Sequence, residues 1–237
     1  MSKTTYKSDR KIRTVVAVGV FCALAYVACV VFHFRASFLT FDLKDAVMTI
    51  GAMLFGPLYG AAMCVITALL EMLTISTTGL YGCVMNVLAS VSFVCVSSWI
   101  YTRRRTMAGA LAGAACGIFS MTAVMLVANL IITPFYMGVP VGTVAGMIPS
   151  LLLPFNLTKA IFNAALVFLL YKPISAALRK AGFTSVTVSA GPDGPSAAPH
   201  TAAETKGLGV SMIVALAVAA AALVFFFLVL HGSVSFG

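Results

Sequence analysis

Residues 14–32 contain no Asp, Glu, Lys, Arg or His. A helix rises about 1.5 Å per residue, so about 20 such residues cross the roughly 30 Å hydrocarbon core of a bilayer. Water is absent there, and a lone segment can satisfy its backbone only as a helix. Apolar runs recur along the chain, which is 61% hydrophobic and 9% charged with a mean hydropathy of +1.07. These values exclude an ordinary water-soluble domain and predict an all-α, polytopic membrane helix bundle.

The runs place six helices over 12–32, 46–55, 60–73, 80–101, 107–133 and 151–172, with a seventh transmembrane helix over 207–231. Residues 1–181 then form a six-helix membrane domain, 182–206 a Ser-, Thr-, Ala-, Gly- and Pro-rich flexible linker, and 207–231 an additional transmembrane helix. The basic N-terminus followed by a full-length apolar run reads as an uncleaved first helix. The second run is too short to span unaided, so its helix is expected to begin in the preceding loop or to sit in a thin part of the bundle. "FGPLYG" reads as a tight turn between helices, with Gly56 free in its backbone and Pro57 opening the next helix. "PFYMGVPVGTVAGMIPS" reads as a long loop.

The net charge of +9 does not indicate nucleic acid. With the N-terminus cytoplasmic, the basic residues of the first thirteen positions, Arg103, Arg104, Arg105, Lys172, Arg179, Lys180 and Lys206 collect on the inner face, as the positive-inside rule requires. The expected location is the cell membrane, multi-pass. Cys22, Cys29, Cys64, Cys83, Cys95 and Cys116 all lie in apolar runs without metal-ligand spacing, so no metal is expected. His33 and His231 flank helix ends, His200 lies in the linker, and no nucleotide-binding or hydrolase motif is present.

Polar side chains inside spans are costly and point to partners or function. Asn156, Lys159 and Asn163 share one face of helix 6 by their spacing of three and four. Thr67, Glu71 and Thr74 form a stripe in helix 3, Asn86 and Ser90 one in helix 4, and Thr122, Asn129 and Thr133 one in helix 5. Two readings of Lys159 stay open on spacing: snorkelling to the outer interface, or pairing with Glu71. Several of these groups fall toward the outer half of the bundle. A cavity there, with Phe38, Leu39, Phe41, Met85 and Phe135 as apolar walls, suits a small, flat, mostly uncharged molecule with hydrogen-bonding edges.

The segments "FDLKDAVMTIGAMLFGPLYGAAMCVITALLEML", "GLYGCVMNVLAS", "ANLIITPFYMG" and "LPFNLTKAIFNAALVFLLYK" occur in this order within residues 12–180. Together they resemble the substrate-binding S component of energy-coupling-factor (ECF) vitamin transporters, and within that family the riboflavin-specific branch. The resemblance implies riboflavin as transported ligand, no cofactor and no enzymatic activity. Its implied partners are a transmembrane coupling subunit and two cytoplasmic ATPases. It assigns flavin contacts to Leu39, Thr40, Phe41, Gly82, Met85, Asn86, Asn129, Asn156 and Lys159, and leaves Asn163 as packing between helices. It further implies docking on the coupling subunit through small residues of helix 1, here Gly19 and Ala23. Where many members carry an acidic residue after the helix 4 glycine, this chain has Cys83. The alternatives are an S component for another flat vitamin or precursor, and a membrane assembly protein or enzyme. An enzyme would need Glu71 and Lys159 as its acid-base pair.

Overall fold

The computed structural model describes residues 3–32, 34–36 and 39–180, together with helical positions Ala217, Val218, Ala220, Ala221 and Val224. The linker over 182–206 and most of the run over 207–231 lie outside the described residues. Helix α1 (Lys3–Val31) leads into an antiparallel hairpin, β1 (Phe34–Ala36) and β2 (Leu39–Phe41), with Arg35 paired to Thr40. There follow α2 (Lys44–Phe55), α3 (Pro57–Thr74), α4 (Gly79–Arg103) and α5 (Met107–Met137). A short α6 (Val141–Met147), a π-helical turn over Ile148–Leu152 and α7 (Leu153–Lys180) complete the described chain.

Among the described residues, five stretches are long and apolar enough to cross a membrane: Ile12–Val31, Pro57–Thr74, Gly79–Arg103, Met107–Met137 and Val141–Tyr171. Their outer faces are apolar while several charges are interior, the inverse of a water-soluble fold. Phe119 is 80% exposed, whereas Lys44 is 1% exposed.

Helix α2, with 12 residues, is too short for that set, and it starts deep in the bundle. Lys44, Asp45 and Ala46 at its first turn are all buried. The Ala46 N–H, which has no partner within its own helix, donates to Asn163 Oδ1 of α7 at 3.0 Å. The hairpin before it therefore dips into the bundle. Gly56, at φ +110°, then turns the chain sharply, and Pro57 opens α3 as its sequence predicted.

Two other boundaries differ from expectation. Pro134 does not end α5, which continues to Met137 and closes on Gly138 in the left-handed region. In a membrane bundle neighbouring helices hold such a helix together despite the missing N–H. The segment expected to be a loop is largely helical, with α6 and the π-helical turn packing Val144 and Leu152 against Leu39, Phe41, Phe155 and Phe162. Periodicity failed there because Pro and Gly are read as loop signals, whereas buried apolar contacts decided the outcome.

The main core joins α1 to α5 and α7 around Phe21, Met48, Ile50, Met63, Phe93 and Met121. Helices α4 and α5 meet at small residues. A Cβ on Gly113 would lie 2.6 Å from the backbone oxygen of Ser97. Gly113→Val is therefore expected to lower stability by about 1–3 kcal/mol through overpacking, read as an earlier thermal unfolding midpoint in detergent.

Candidate functional site

Following the chain up and down places the hairpin, the C-terminal ends of α3 and α5, and the N-terminal ends of α4 and α7 at one end of the bundle. Arg103, Arg104 and Arg105 lie at the opposite end. The first end encloses a cavity of about 160 Å³. Its walls include Leu39 and Thr40 of the hairpin, Glu71 of α3, Gly82, Met85 and Asn86 of α4, Asn129 of α5, and Asn156 and Lys159 of α7. Met121, Met125, Ile132, Tyr136, Tyr81 and Phe155 supply apolar and aromatic surface.

Eight of the nine residues assigned as flavin contacts thus line one cavity; Phe41 does not. Its ring is 1% exposed and packs 5.3 Å from Phe162 and 6.4 Å from Phe155, so it supports a cavity residue from behind. Leu39 and Phe41 share one face of β2, and it is the packing of the Phe41 ring against α7 that keeps it off the cavity wall. Phe135, expected as a wall, faces outward at 75% exposure. Phe38 lies outside the described residues. Cys83 is buried away from the cavity, with Sγ 3.7 Å from the Ala68 carbonyl oxygen.

The two asparagines of α5 and α7 are oriented by their own helices. Asn129 donates through Nδ2 to the Met125 carbonyl at 2.7 Å and accepts the Thr133 hydroxyl at 2.9 Å. Asn156 Nδ2 donates to the Leu152 carbonyl at 2.7 Å. That carbonyl lies where the π-helical turn meets α7, and Pro154 removes a backbone donor from the same region. Each amide keeps hydrogen-bonding capacity beyond these contacts.

Lys159 neither snorkels nor pairs with Glu71. Its Nζ donates to Asp42 Oδ2 at 2.9 Å and to the Thr40 carbonyl at 3.1 Å, leaving one N–H. Glu71 is instead bridged by Lys44, whose Nζ lies 2.6 Å from Oε1 and 2.7 Å from Oε2. Asn86 Nδ2 donates to Glu71 Oε2 at 2.7 Å. Asp45 accepts the Ser90 hydroxyl at 2.5 Å and sits in the first turn of α2, where the helix dipole favours a carboxylate. Asn163 Nδ2 donates to the carbonyls of Asp42 and Lys159 at 3.3 and 3.1 Å, a packing contact between α7 and the segment that enters α2.

Sequence reasoning left Asp42, Lys44 and Asp45 in a loop. The available signal was "FDLKD" directly before an apolar run too short to span: a helix that starts inside the bundle carries its flanking charges inside with it. With Lys159 paired to Asp42, no acid-base pair of Glu71 and Lys159 forms. What remains is suited to reversible recognition through amides, one ammonium and apolar faces.

The chain matches the family described as ECF transporter, substrate-specific component, over residues 13–171. It belongs to that family. Such S components bind a transported substrate rather than catalyse a reaction, and they work with the membrane and ATPase subunits of the ECF module. This S component is similar to a solved one, reported under "Structure and mechanism of the S component of a bacterial ECF transporter", with a TM-score of 0.62 and 25% identity. The similarity covers 71% of this chain and 99% of that one. No curated protein matches the sequence.

Proposed function

We propose that this S component binds riboflavin in the cavity and hands it to an ECF module for ATP-driven uptake. The observation that carries this reading is the convergence of Leu39, Thr40, Gly82, Met85, Asn86, Asn129, Asn156 and Lys159 on one cavity from four elements, β2, α4, α5 and α7. The amides of Asn129 and Asn156 match the donor and acceptor edge of the flavin ring, and methionine and aromatic side chains match its faces. Phe41 acts indirectly, by buttressing Phe155. The basic end faces the cytoplasm, with the N-terminus inside, and the cavity opens outward.

Docking on the coupling subunit uses α1. Gly19 and Ala23 are both exposed, and a Cβ on Gly19 would meet nothing within 4 Å, so these small residues are not consumed by packing inside the bundle. A small-xxx-small face allows close approach of a second helix. Gly19→Leu with Ala23→Leu is expected to abolish uptake while leaving flavin affinity within about twofold, because the sites are separate.

Labelled riboflavin uptake in cells co-expressing this chain with an ECF module tests the reading. Accumulation that requires both the chain and ATPase activity is expected. Uptake of a different vitamin, with riboflavin neither transported nor competing, would overturn the substrate assignment.

A further inference from the structure

Asn86 reaches the cavity wall from α4, and a ligand could meet either end of its amide. The choice is made outside the cavity. Nδ2 of Asn86 donates to Glu71 Oε2 at 2.7 Å. A carboxylate oxygen only accepts, so the NH₂ group must turn toward Glu71, which engages one of its two N–H groups and turns the carbonyl oxygen Oδ1 away from the carboxylate. Glu71 is itself fixed by Lys44, whose Nζ sits 2.6 Å from one carboxylate oxygen and 2.7 Å from the other.

Lys44 is 1% exposed and is not part of the cavity wall. Its position is set by surroundings that leave little freedom. Nζ is also 3.5 Å from Asp42 Oδ2, and the first turn of α2 is tied to α7 through the Ala46 to Asn163 hydrogen bond. The chain of contacts thus runs from a buried ammonium, through a carboxylate, to an amide at the wall.

We propose that Lys44 is a positioning residue: by bridging the Glu71 carboxylate it holds Asn86 with Oδ1 as the ligand-facing atom, so this wall selects a ligand N–H or O–H and disfavours an acceptor there. The proposal rests on the reading that the cavity binds riboflavin, and it assigns Lys44 an effect on hydrogen-bond specificity that a merely structural ion pair would lack.

Two measurements test it on the full chain in detergent. In a double-mutant cycle, Lys44→Met weakens riboflavin binding about tenfold, as expected for an oriented hydrogen bond lost at the wall. In a Glu71→Gln background the same change costs less than about twofold, because Lys44 reaches Asn86 only through Glu71 and its contact with Asp42 is the longer one at 3.5 Å. Additive losses would overturn the proposal. The second measurement needs no ligand: the side-chain amide resonance of Asn86, identified by its loss in Asn86→Asp, moves in both Lys44→Met and Glu71→Gln. An unmoved resonance in Lys44→Met would overturn the proposal whatever the substrate. Absence of riboflavin binding by the unaltered chain would reject only the riboflavin reading, and the Asn86 resonance then decides the role of Lys44. If Lys44→Met fails to fold, Lys44→Gln removes the charge while keeping a donor. It should give a smaller, still non-additive loss, and an additive loss would again overturn the proposal.

Discussion

Asp42→Asn is expected to lower the unfolding free energy by about 3–5 kcal/mol, because removing one member of a buried ion pair strands the other away from water. Asp42 is 0% exposed and its Oδ2 lies 2.9 Å from Lys159 Nζ and 3.5 Å from Lys44 Nζ. The substitution keeps the shape of the side chain and removes its charge, leaving Lys44 still bridged to Glu71 but taking from Lys159 the carboxylate it contacts. Lys159 suffers most, since its other identified contact is a neutral carbonyl. Asp45→Asn provides the comparison. Its identified side-chain bond is to a hydroxyl, so the expected loss is only about 0.5–1.5 kcal/mol. Thermal unfolding of both variants in the same detergent checks the difference. Equal midpoints would contradict the view that Asp42 is the hub of the buried charges.

The second large effect concerns the ligand. Lys159→Met is expected to weaken riboflavin binding by about 10- to 150-fold, the range for losing a hydrogen bond from a charged group. The variant also strips Asp42 of its nearest cation, so affinity has to be compared per folded molecule. Asn163→Ala separates the two consequences. Asn163 caps α2 and bonds the Asp42 carbonyl, yet it does not line the cavity. It should lose stability while retaining flavin affinity within about threefold, since it touches no ligand-facing atom. A binding loss as large as that of Lys159→Met would mean that both residues act through general packing.

The legible parts of the fold were those governed by hydropathy. Long apolar runs located α1, α3, α4, α5 and α7 because a bilayer admits few alternatives for such segments. Spacing alone put Asn156, Lys159 and Asn163 on one face, and all three are buried on α7. Partners were not legible, because ion pairing depends on how helices distant in sequence meet. Lys159 finds Asp42 across 117 positions, and Glu71 finds Lys44 across 27. The β hairpin escaped notice because its strands are three residues each, too short to show an alternating pattern. Phe41 shows the same limit on a smaller scale. Its motif position beside Leu39 and Thr40 suggested a ligand contact, while its side chain points to the second core cluster.

The family resemblance carried the site further than periodicity could. Polar spacing and topology nominated an outer cavity with Leu39 and Met85 among its walls, and the order of the motifs added Thr40 and Gly82 to the set that lines it. The residues it named are neighbours because α2 begins low, drawing the hairpin into the bundle above it. A conventional full-length second helix would hold Leu39 and Thr40 at the membrane surface, away from Asn129 and Asn156.

The most direct measurement is a fluorescence titration of riboflavin with the purified chain and with Asn156→Ala. Saturable quenching at one flavin per chain, with clearly weaker binding to Asn156→Ala, is the expected result. Unquenched riboflavin at micromolar protein, in preparations that are folded by thermal unfolding, would contradict the riboflavin assignment.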